Sequence, residues 1–182
     1  MQARGLLMIE HRLIERMVAL FGDALGRIRS NGEVDPDFID AAIDFIRVYA
    51  DRVHHGKEED ILFRSLGGKK VSENDLRLMN ELIGEHEIGR GVAKGLAAAN
   101  ARYRNGDVAA TTDIASQFAA FVELYPKHIG KEDKVFFPAS RAYISDEEDR
   151  AMVEEFREID RKLNPEKYEA VVAALEGKRR SG

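Results

Sequence analysis

The chain has 182 residues, 44% of them hydrophobic and 34% charged, with a formal net charge of -5. That length suits one domain with a sizeable core, the acidic balance argues against a nucleic-acid partner, and no apolar run is long enough to span a bilayer. There is no cysteine, which excludes disulfides, thiolate nucleophiles, iron–sulfur clusters and zinc–thiolate sites, so any metal must be held by nitrogen and oxygen.

Long segments repeat their apolar residues at helical period, prolines are few and strict alternation is missing, so the chain reads as all-α. The first helix is predicted from Ala3 to Arg29, ending in the turn SNGEVDPD. The second runs from Pro36 or Asp37 to Leu66, with Asp35 as its N-cap, and stops at GGKK. The third opens after Ser72 and reaches Arg104, where Asn105-Gly106 breaks it. A fourth follows from Asp107 to Arg141. Shorter helices are expected near Asp146–Leu163 and Pro165–Leu175. Short turns between four long helices imply an up-down-up-down four-helix bundle over residues 1–141, with additional C-terminal helices over 142–182 packed on or beside it. The opening MQARGLLMIE has no secretory pattern, and with the missing cysteines this points to the cytoplasm.

Four short segments, matching in two pairs, divide the long helices into two similar hairpins. Glu10-His11 returns as Glu85-His86, and HHGKEEDILF returns as HIGKEDKVFF. Residues three and four apart share one helix face. In the first helix Leu7, His11, Ile14, Val18 and Phe21 form one row. In the third, Met79, Leu82 or Ile83, His86, Gly89 and Ala93 do so. In the fourth, Ile114, Phe118, Phe121, Tyr125, His128, Glu132 and Val135 do so. The second helix has two overlapping pairs. His55 and Glu59 share a face with Val48, Leu62 and Leu66, whereas His54 and Glu58 share theirs with Arg47 and Asp51. The interior pair is therefore expected to be His55 and Glu59, with His54 and Glu58 facing solvent or supporting the first pair.

Four imidazoles and two carboxylates at one level of a core would each cost several kcal/mol in desolvation and repulsion, on the order of a domain's whole net stability of about 5–15 kcal/mol. Bound cations would compensate. The expected metal-ligating residues are His11, His55, Glu59, His86, His128 and Glu132, about three per metal for two metals. This nitrogen and oxygen mixture suits iron or manganese.

The same residues resemble the hemerythrin-like, or HHE cation-binding, domain family, whose pattern H…HxxxE…H…HxxxE is met by His11, His55 with Glu59, His86, and His128 with Glu132. The flanking segments MIEHRLI, DRVHHGKEEDILF, GEHEIGR and HIGKEDKVFFP resemble it too. The resemblance covers roughly residues 5 to 141. It implies a cofactor of two non-heme iron ions, oxo- or hydroxo-bridged and spanned by the two carboxylates. Dioxygen or a related diatomic such as nitric oxide would bind at an open position, with a redox partner as a further implication. The invertebrate oxygen carriers of this family have a second histidine where this chain has Arg90, and their aspartate falls at Asp133, beside Glu132. Three functions fit: a di-iron protein that binds or handles oxygen or nitric oxide, a di-iron peroxidase, reductase or nitrosative-stress repair enzyme, and a metal-free helical interaction module.

Overall fold

Turn chemistry fixes where each helix starts and stops. In the computed structural model, which describes residues 2–180, α1 spans Ala3–Asn31 and ends at Gly32, whose φ of 73° is the left-handed conformation that glycine adopts without a Cβ penalty. Asp35 caps the next helix, accepting from the amides of Asp37 and Phe38 at 3.0 Å each. That helix, α2 (36–67), is a composite. It is α-helical over Pro36–Asp44 and Arg64–Gly67 and π-helical over Phe45–His55 and Glu58–Phe63. Ser72 caps α3, Glu73–Arg104, through the Asp75 amide at 3.2 Å. Gly106, at φ 91°, turns the chain into α4. This helix runs from Ala110, passes Pro126 without interruption, takes a π turn at Glu132–Phe136 and ends at Ser140.

Two helices follow, α5 (Asp146–Leu163) and α6 (Lys167–Arg180). A capping box starts α5: Ser145 and Glu148 satisfy each other's backbone amides at 3.2 and 2.8 Å. The described residues contain no strand, and none of their helices is long and apolar enough to cross a membrane.

Two apolar clusters form the core. One gathers Phe21, Phe38, Phe45, Tyr49, Phe118, Phe121 and Tyr125; the other gathers Leu7, Phe63, Leu66, Leu82, Phe136, Phe137 and Phe156. Each of α1 to α4 contributes to both, so each crosses the level between them. The histidines sit at that level. The C-terminal helices join the same core, α5 through Met152, Val153 and Phe156 and α6 through Tyr168 and Val172.

The glycines of α3 are not equivalent. A Cβ on Gly89 would come 3.0 Å from the Tyr125 hydroxyl, whereas Gly91 is exposed and a Cβ there would meet nothing within 4 Å. Gly91→Ala is therefore expected to stabilise the protein by about 0.5–1 kcal/mol through helix propensity alone. In a thermal unfolding scan that is a rise of about 1–4 °C; a fall would show that the open face is not open.

Candidate metal centre

The π-helical turns decide which side chains meet. An α-helix repeats every 3.6 residues, whereas π hydrogen bonds join residues five apart, so each such turn holds more residues. Along α2 the buried residues fall in groups, Phe45 and Ile46, Tyr49 and Ala50, Val53 to His55, Lys57 and Glu58, then Ile61 to Phe63. Of the two expectations for His54 and Glu58, facing solvent or supporting the first pair, the first is thereby corrected: they are 1% and 0% exposed, while the Glu59 side chain is 24% exposed. The π turn at Glu132–Phe136 acts likewise. It leaves Val135, expected in the core row, 52% exposed and buries Phe136.

Of the residues singled out in the sequence, His11, His55, His86, His128 and Glu132 come together, and Glu59 lies outside them. Two adjacent groups result, His11 with His54, Glu58 and Glu132, and His55 with His86 and His128. Within each, one donor atom per residue lies within 4.8 Å of the others. The two carboxylates stand between the groups. Glu58 reaches His54 Nε2 at 3.5 Å with Oε1 and His86 Nε2 at 3.4 Å with Oε2. Glu132 lies 3.1 Å from His11 Nε2 and 3.4 Å from His128 Nε2 through Oε2, and 3.7 Å from His86 Nε2 through Oε1.

In four of the five histidines the outward nitrogen is occupied. In these four Nδ1 is paired with a carboxylate: His11 with Asp133 at 2.7 Å, His54 with Glu10 at 2.9 Å, His86 with Glu59 at 2.6 Å and His128 with Glu85 at 2.9 Å. An ionised carboxylate only accepts, so Nδ1 carries the proton and the other ring nitrogen turns inward. Each carboxylate is backed in turn by a cation, Asp133 by Arg12, Glu10 by Lys57, Glu59 by Arg90 and Glu85 by Lys131. Such outer partners fix the tautomer and ring orientation of metal-binding histidines.

Inside, the donors converge on one another without hydrogen-bond partners. The Nε2 atoms of His11, His54, His86 and His128 and both oxygens of Glu58 and Glu132 are buried and unsatisfied. Leaving each such group unpaired costs about 1–3 kcal/mol. Burial, then the charge of Glu132, pushes Glu58 well above the usual carboxylate range. Burial acts on Glu132 in the same sense, but His128 and His11 outweigh it and hold Glu132 well below. Burial lowers His11, yet Asp133 and Glu132 raise it to about 9, while burial and the neighbouring His11 bring His54 down to about 4. Two adjacent carboxylates and two adjacent imidazoles are thus driven to opposite protonation states, a conflict that cations between them would remove. The donor set fits two cations.

His55 differs from the rest. Its ring stacks on His86 at 3.8 Å, its Nε2 lies 3.3 Å from the Tyr125 hydroxyl, and its Nδ1 is buried without a hydrogen bond, 3.5 Å from Asp51. A signal for the true interior pair is present in the sequence. Written without a gap, HHGKE over HIGKE sets His54 and Glu58 against His128 and Glu132, and Lys57 against Lys131.

An all-α chain with two abutting sets of imidazole and carboxylate donors, shared across two carboxylates, belongs to the helical cation-binding proteins. The Hemerythrin HHE cation binding domain matches residues 3–140, and the chain belongs to that family. Similar curated proteins include the uncharacterized proteins Mb2018 of Mycobacterium bovis and Rv1995 of Mycobacterium tuberculosis. Each is 25% identical over 169 residues, covering 91% of this chain. The chain spans 64% of the length of these relatives. No solved structure matches.

Proposed function

We propose that this chain is a non-heme di-iron protein that binds or reacts with dioxygen or a related small ligand such as nitric oxide. His11 and His54 would hold one iron, His86 and His128 the other, and Glu58 and Glu132 would span both, with His55 beside the second. The single observation that carries this reading is the convergence of four unpartnered Nε2 atoms on two unpartnered carboxylates. An up-down-up-down course for α1 to α4 agrees with it, since each helix passes from one apolar cluster through the polar level to the other.

Bound iron would supply Lewis acidity and electrons. The chain's own residues do the rest. Four carboxylate–imidazole pairs aim the donors, and the flanking aromatic side chains keep water away: Phe137 stacks on His11 at 5.7 Å and Phe63 on His86 at 6.2 Å. The Tyr125 phenol is pushed far up by burial, then by Glu132, so it stays protonated and can donate toward a ligand near His55. Mixed imidazole and carboxylate donors without thiolate favour iron or manganese over a closed structural zinc site.

The test is metal analysis of protein produced with iron, joined to optical spectra under air and after anaerobic reduction. About two irons per chain and a near-ultraviolet absorption that changes between the two conditions are expected. Metal at background would overturn the reading.

A further inference from the structure

The carboxylate–cation pairs behind the histidines look alike in the two hairpins but end differently. Lys131, behind Glu85 and His128, is 30% exposed and its second partner is Glu81 at 2.5 Å, one turn along α3. Lys57, behind Glu10 and His54, is 1% exposed. Its second partner is Asp160 of α5 at 2.5 Å, and its ammonium lies 5.7 Å from the centre of the Phe156 ring on the same helix. A buried ammonium has no water to turn to, so its position is set by the two carboxylates that share it. Asp160 lies beyond residues 3–140, where the family match ends.

We infer that Asp160 is a positioning residue for the metal centre, acting through Lys57 and Glu10 on His54, so that the C-terminal extension completes one half of the centre and not the other. Without Asp160, Lys57 is held by Glu10 alone and the Glu10–His54 hydrogen bond loses its fixed geometry. The inference rests on the di-iron reading for its effect on metal, but its effect on His54 needs no metal.

Two measurements on the full-length chain test it. In metal-free protein with ¹⁵N-labelled histidine, solvent exchange of the His54 Nδ1–H proton is expected to speed up at least tenfold in Asp160→Ala, while that of His128 stays unchanged. In a titration with ferrous ion alone, the same variant is expected to bind about tenfold more weakly, at the low end of outer-shell effects on metal sites. Glu81→Ala, its counterpart at Lys131, is expected to change either quantity less than twofold, because Lys131 can be solvated. Asp160→Glu should restore both readouts. Should Asp160→Ala fold poorly, Asp160→Asn keeps the volume and removes the charge. Unchanged His54 exchange in both Asp160→Ala and Asp160→Asn overturns the inference, and so does unchanged ferrous affinity in a protein that binds it. A wild-type chain that takes up no iron sinks the di-iron reading, and the exchange measurement still decides whether Asp160 orients His54.

Discussion

Stripped of metal, the protein is expected to unfold about 10–20 °C below the same chain carrying two ferrous ions. A ligand that binds only the native state, present at a hundred times its Kd, stabilises by about 2.7 kcal/mol, and two sites double that. For a chain of this size each kcal/mol shifts the midpoint by about 2–4 °C. The direction follows from the interior of the centre, where eight donor atoms are buried without hydrogen bonds. Metal-free protein bears that penalty, eased only where Glu132 faces His11 at 3.1 Å; loaded protein does not. Calorimetric scans before and after chelation, under anaerobic conditions, with ferrous ion added back, give the measurement. Equal midpoints would mean that the donors already satisfy one another.

Much of this molecule can be read from its residues, and the misplaced side chains of the bundle have one cause. Asp35, Ser72, Gly32 and Gly106 act locally, through a cap or a left-handed turn, and helix boundaries that depend on them are visible in the sequence. His11 and His86 lie in regular α-helix, so counting by threes and fours places them correctly. The second and fourth helices depart from that count at Phe45–His55, Glu58–Phe63 and Glu132–Phe136. No single residue type announces a π turn. Its cause is tertiary: the turns carry Phe136 into the apolar core and bring His54 and Glu58 to the donor cluster, where the two polar groups gain only from cations placed between them. Glu59 and Val135 are misplaced by counting for this one reason, and π turns are frequent at functional sites. The extension's link to the centre was equally hidden, since nothing in Asp160 itself distinguishes it from the other acids of α5.

The sharpest separation lies between neighbours in the sequence, Glu58 and Glu59. Glu58→Leu removes a carboxylate that faces both histidine groups, so iron content is expected to fall from two per chain to one or fewer. The metal-free protein should move the opposite way. Glu58 is then a protonated, buried carboxyl without a hydrogen-bond partner, and replacing such a group by an apolar side chain of similar size is expected to stabilise by about 1–3 kcal/mol. A higher midpoint without metal and a lost response to metal are expected together in one variant. Glu59→Gln keeps an acceptor for His86 Nδ1 but weakens its hold on the ring and on Arg90. It should retain two irons, bound about 10–100-fold more weakly, as for other outer partners of metal-bound histidine. Paired iron analysis and thermal scans on the two variants check this. The reverse ranking, with Glu59→Gln losing the metals and Glu58→Leu keeping them, would return the interior face to the one that α-helical counting gives, and the π-helical register with it.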